Sequence, residues 1–134
     1  MTVAQNKQLV LDVYARFSRG DIPGVLDLMT DDVTWWILGK PELTPTCGSY
    51  DKERLRRLFA RMQSQLVNGL ALTVLRTIGE DDSVVAEVES AGELRNGRQY
   101  RQQYLVLFTF RDGKIASARE YLDTQHAFDV WIRA

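Results

Sequence analysis

The chain has 134 residues, 45% of them hydrophobic and 26% charged, and a formal net charge of -1 at pH 7. This length predicts one domain over 1–134 with a core that needs no disulfides, and the near-neutral balance gives no basic field for nucleic acid or an anionic membrane. The single cysteine, Cys47, excludes an intramolecular disulfide and argues against a thiolate metal site. No apolar run approaches the roughly 20 residues of a membrane span, and MTVAQNKQLV lacks a basic-then-apolar leader; a cytoplasmic location is the default expectation.

Thr2 is the N-cap of a predicted helix to about Arg19, with an apolar stripe of Val3, Leu9, Val10, Val13, Tyr14 and Phe17. Gly20 stops it, and Asp21 caps a shorter helix with Pro23 in its first turn. The β-branched and aromatic run Val33 to Leu38 predicts a strand. Gly39 to Tyr50 carries proline and glycine and reads as a loop. Asp51 caps a third helix, buried through Leu55, Leu58, Phe59, Met62 and Leu66 and wet along Arg54, Arg56, Arg57 and Arg61.

Four long strands follow, over about Leu70–Ile78, Ser83–Leu94 and, on either side of Asp112-Gly113, the stretch Gln99–Asp123. Asn96-Gly97 and Asp112-Gly113 mark two-residue hairpin turns, whose central residues take positive φ. Thr124 to Ala134 reads as a short closing helix or tail. Helices first and an antiparallel meander after is an α+β pattern: a curved, mostly antiparallel sheet, covered by three helices that enclose a cone-shaped space. Both faces of the third and fourth strands of this meander carry bulky apolar residues, which predicts a homodimer packed sheet to sheet, with Leu105, Leu107 and Trp36 at the seam.

The most informative residue is Glu120. It shares a predicted strand face with Ala116, Ala118 and Leu122. A charge in such a row is either solvent-facing beside a shallow sheet or a carboxylate inside a pocket, because burying it unpaired is costly. Glu87 and Glu89 share a face of the strand before the Asn96-Gly97 turn, opposite Val84, Ala86 and Val88; pattern alone makes the valines core and the glutamates wet. Tyr104 either fills the core with its hydroxyl at the rim or orients a ligand carbonyl or water.

The residues Arg19-Gly20-Asp21, Asp31-Asp32-Val33-Thr34-Trp35, Gly48-Ser49-Tyr50, Asn96-Gly97-Arg98-Gln99-Tyr100 and RDGKI followed by REYLDT (residues 111–124) carry a resemblance over nearly the whole chain. It resembles the SnoaL-like, ketosteroid isomerase-related proteins of the nuclear transport factor 2-like superfamily. The resemblance implies a cone-shaped α+β barrel that holds a small hydrophobic molecule. It also implies a cofactor-free isomerase, cyclase or hydrolase, or else a non-catalytic ligand-binding or dimerisation module.

The base and donors of ketosteroid isomerase would fall at Ile37, Val106 and Val13, with Tyr14 next to the last, so that chemistry is not expected. The two aspartates of limonene epoxide hydrolase map to Glu89 and Glu120, and its bridging arginine maps to Glu87, which reverses the charge. The resemblance thus turns Glu89 inward, against the strand pattern. The expected catalytic residues are Glu89, Glu120 and Tyr104. The expected pocket is Trp35, Ile37, Tyr50, Met62, Glu87, Gln102, Val106 and Leu122. No cofactor or metal is called for: His126, the only histidine, lacks companion ligands and is expected on an exposed helix face.

Overall fold

A computed structural model describes all residues, 1–134. Helix α1 spans Val3–Ser18 and opens with a reciprocal capping box, in which the Thr2 hydroxyl accepts from Gln5 N and the Gln5 side chain accepts from Thr2 N. Each such cap stabilises a helix by about 1 kcal/mol. Helix α2 (Ile22–Leu26) is capped by Asp21 and α3 (Lys52–Gln65) by Asp51, each accepting from a backbone N–H three residues on.

The six strands are β1 (Met29–Ile37), β2 (Gly48–Tyr50), β3 (Ala71–Glu80), β4 (Ser83–Glu93), β5 (Gln99–Arg111) and β6 (Lys114–Leu122). They form one curved sheet in the order β2-β1-β6-β5-β4-β3. The meander is antiparallel, while β1 lies parallel to β6. The last three residues of the expected loop thus form an edge strand on β1. After β6, α4 (Thr124–Ala127) runs into a π-helical turn, Phe128–Ile132.

The turns differ from one another. Asp112 and Gly113 both have positive φ (52° and 78°), as the two-residue turn demands. At Asn96-Gly97 only Gly97 does (88°). Gly97 N donates to Leu94 O, and Leu94 N to Arg98 O, so that hairpin has the three-residue loop with a glycine bulge instead.

Alternation decides which side chains enter the core. Val84, Ala86 and Val88 on β4 and Val106 and Phe108 on β5 are at most 1% exposed on the inner face. Trp35 on β1 meets Phe59 and Phe108 edge-on, with ring centroids 6.0 and 5.8 Å away, tying α3 to the sheet. One residue departs from the expected rows. The β5–β6 register shifts between Thr109–Ser117 and Phe110–Ile115, leaving Ala116 as an extra residue. Ile115 therefore takes the buried place expected for Ala116, while Ala118 stays inside.

On the outer face, Trp36 packs under the Arg119 guanidinium, 4.0 Å from its ring centroid, and meets Tyr121 edge-on. Leu105 and Leu107 are exposed there. No helix is long and apolar enough to cross a membrane.

Candidate functional site

Between the helices and the inner face of the sheet lies a cavity of about 420 Å³, within the range of about 300–1,000 Å³ typical of small-molecule sites. Each element contributes by its own periodicity. Helix α1 sends in Tyr14 and Phe17 one turn apart, and α3 sends Leu58, Phe59 and Met62. Trp35 and Ile37 alternate inward from β1, Tyr100 and Tyr104 from β5, and Glu120 and Leu122 from β6. Ala127, Trp131 and Ile132 of the closing segment complete the wall.

Glu120 is the only carboxylate in this lining. Its backbone stands in register between Ile37 and Val106. Its one side-chain hydrogen bond comes from Trp35, whose Nε1–H donates to Oε1 at 3.3 Å. Removal from bulk water pushes its pKa up from the ordinary 4.5 to about 7, and the Trp35 bond opposes that rise. What remains exposed of Glu120 opens into the cavity. The carboxyl is therefore divided between its acid and base forms near neutral pH.

Three tyrosine hydroxyls surround the same space. Burial raises the pKa of Tyr14 and Tyr104 well above the phenol range and that of Tyr100 to about 12, and the Glu120 charge adds to each rise. All three stay protonated and act as donors or neutral acceptors at working pH. Tyr104 OH donates to Tyr100 OH at 3.1 Å and lies 3.1 Å from Ser90 Oγ.

The closing segment is fixed by polar side chains. Gln102 Oε1 accepts from Asp123 N at 3.0 Å, and its Nε2 donates to Asp123 O at 2.9 Å. Arg98 Nη1 donates to the carbonyls of Asp129, Val130 and Arg133. His126, expected on an exposed helix face, is partly buried: Nε2 accepts from Arg101 N at 3.0 Å, and the ring stacks on Tyr100.

Of the residues expected at the site, Glu120, Tyr104, Trp35, Ile37, Met62 and Leu122 meet at this cavity. Five others do not. Glu89 and Glu87 are exposed on the outer face, because the buried valine row of β4 leaves odd-numbered side chains pointing away. Glu89 borders a separate polar hollow with Thr73, Arg101 and Gln103, so the expected Glu89–Glu120 pair does not form. Gln102 is 1% exposed, with its Oε1 accepting from Gln103 N and Asp123 N and its Nε2 donating to Asp123 O. Val106 is fully buried in the core and presents no surface to a ligand. Tyr50 turns its hydroxyl to Thr46 O at 2.6 Å. Tyr100 and Tyr14 are the lining tyrosines absent from the expected set. The inward row Tyr100, Gln102, Tyr104 on β5 marks the first, and the apolar stripe of α1 marks the second. No three His, Cys, Asp or Glu side chains converge as metal ligands would.

The profile of the SnoaL-like domain matches residues 10–118. The chain belongs to the SnoaL-like domain family. Solved structures repeat the SnoaL-like chain's architecture at low identity. Bal32a, from a soil-derived mobile gene cassette, superposes with a TM-score of 0.85 at 21% identity, over 96% of this chain and 98% of its own. An NTF2-like protein of Burkholderia pseudomallei gives 0.83 at 21% identity, over 99% and 100%. TerC, crystallised with polyporic acid, gives 0.82 at 24% identity, over 94% and 97%. At these identities the likeness is one of fold. No curated protein matches the sequence of this SnoaL-like chain.

Proposed function

We propose that the chain takes a small, largely apolar carbonyl compound into the aromatic cavity and moves a proton on it through Glu120, without a cofactor. The observation that carries this reading is a lone carboxyl, raised to about 7, inside an apolar chamber large enough for a ligand. The step it suits is proton transfer at carbon. The Glu120 carboxylate takes a proton from the carbon beside the carbonyl. The C–H electron pair forms the enolate double bond, and the carbonyl pair moves to oxygen. Glu120, now the carboxylic acid, returns the proton at the same or a conjugated carbon. TerC on the same fold was crystallised with polyporic acid, which agrees with a ligand of this general character.

The test is solvent deuterium exchange, followed by NMR, into α-C–H positions of bicyclic aryl ketones. Exchange is expected with the wild type, rising through about pH 7, and is expected to vanish in Glu120→Gln. Exchange that persists in Glu120→Gln would refute the assignment. A binding-only role is the second reading. It is favoured by the position of Glu89 outside the cavity, which leaves Glu120 without a carboxyl partner.

The assembly proposed with this function is a homodimer through the outer face of the sheet. Its support is the exposed apolar set Ile78, Leu105, Leu107 and Tyr121 (37–57% exposed), with Leu105 and Tyr121 directly paired across strands.

A further inference from the structure

Three hydroxyls form a chain along the inner face of the sheet. Tyr104 OH donates to Tyr100 OH at 3.1 Å, and Ser90 Oγ lies 3.1 Å from Tyr104 OH. A hydroxyl has one proton to give, so with Tyr104 committed to Tyr100, Ser90 must donate to Tyr104. Every proton in the chain points the same way. The chain ends on Tyr100, which lines the cavity and is 3% exposed. Tyr100 accepts at its oxygen, and no protein group accepts its own proton.

The ring that carries this hydroxyl is held on two sides. It stacks on His126 at 5.5 Å with a 2° interplanar angle, and meets Trp131 edge-on at 5.2 Å. The His126 ring nitrogen Nε2 accepts the Arg101 N–H, and the His126 backbone N–H donates to Asp123 Oδ1. The pKa of about 12 keeps the Tyr100 proton in place at every working pH. Each hydroxyl upstream polarises the next, which strengthens the last donor.

We propose that Tyr100 anchors an acceptor oxygen of the ligand, so that the cavity selects a carbonyl- or quinone-type oxygen over a hydrocarbon of the same shape. A hydrocarbon would bury the donor with no acceptor, whereas a carbonyl completes the chain. Tyr100 and Glu120 project from different strands into one cavity. The inference rests on the cavity being a ligand site and stands apart from whether Glu120 turns the ligand over.

The test uses two bicyclic probes of one shape, 1-tetralone and tetralin, titrated into the wild type, Tyr100→Phe, Tyr104→Phe and Glu120→Gln. The ratio of 1-tetralone to tetralin affinity is expected to fall about five- to tenfold in Tyr100→Phe, the size of one net hydrogen bond, with 1-tetralone binding more weakly and tetralin, relieved of an unpaired buried donor, binding no more weakly than to the wild type. It is expected to fall less in Tyr104→Phe, which leaves the Tyr100 proton but removes its polarising neighbour, and less in Glu120→Gln than in Tyr100→Phe. The carbonyl stretch of bound 1-tetralone should lie at lower frequency in the wild type than in Tyr100→Phe. Circular dichroism checks that each variant folds, and the wild-type and Tyr104→Phe stretches keep the inference open to refutation if Tyr100→Phe does not.

A ratio and stretch unchanged in Tyr100→Phe, a loss confined to Glu120→Gln, or a wild-type stretch equal to that in an apolar solvent would overturn the inference. Failure of both probes to bind would overturn it together with the ligand reading. No deuterium exchange with the ratio intact would remove the catalytic reading alone and leave the Tyr100 anchor supported.

Discussion

Replacing Glu120 by glutamine keeps the shape of the side chain and an oxygen for the Trp35 Nε1–H, but removes the charge that the cavity disfavours. The native pKa lies near 7, against an ordinary 4.5. At about 1.4 kcal/mol per pKa unit this displacement corresponds to roughly 3 kcal/mol, and water entering the cavity reduces it to about 2 kcal/mol. The sign follows from proton counting. Between about pH 4.5 and 7 the native state holds a proton that the unfolded state has released, so the wild type loses stability as pH rises through that window and then levels off. The variant has no such dependence. Urea melts at pH 4, 6 and 8 should therefore show little difference at pH 4, an intermediate gain for Glu120→Gln at pH 6, and a gain of about 2 kcal/mol at pH 8. A variant equal to or weaker than the wild type at pH 8, or a difference constant across the three pH values, would refute the reasoning. A more stable fold combined with lost proton exchange is the trade expected where a strained carboxyl serves function.

Trp35→Phe deletes the only side-chain donor to Glu120, and because that bond lowers the pKa, the Glu120 midpoint should move above about 7 in an NMR titration. Gln102→Ala leaves the Asp123 amide and carbonyl without their buried partner; a loss of about 2–3 kcal/mol is expected in urea melts, with faster amide exchange over residues 123–133. Leu105→Glu places charge in the middle of the outer apolar patch and should convert a wild-type dimer to monomer in sedimentation velocity. A wild type already monomeric at micromolar concentration would contradict the dimer proposal.

The sequence discloses the frame better than the site. The caps at Thr2, Asp21 and Asp51 and the Asp112-Gly113 turn are local chemistry, fixed within four residues, and all four form as expected. The short β2 and the parallel pairing of β1 with β6 are non-local: Gly48–Tyr50 is too short to show alternation and becomes a strand only because β1 offers an edge. Glu120 is legible because a charge in a small apolar row is anomalous wherever it occurs. Glu89 misleads because the resemblance overrode the pattern on its own strand, where Val84, Ala86 and Val88 already claimed the interior. The Ala116 bulge has no signal in an alternating stretch that reads smoothly through it. The Ser90–Tyr104–Tyr100 chain joins two strands, and such a contact becomes visible only once register is known.

The most direct measurement is the titration of Glu120 itself, by side-chain carboxyl ¹³C NMR on the wild type with Glu120→Gln to assign the resonance. A midpoint near 7 is predicted, with the carboxyl divided between acid and base forms at neutral pH. A midpoint near the ordinary 4.5 would mean that water reaches the carboxyl freely, and would contradict Glu120 as a neutral-pH acid–base in an apolar chamber.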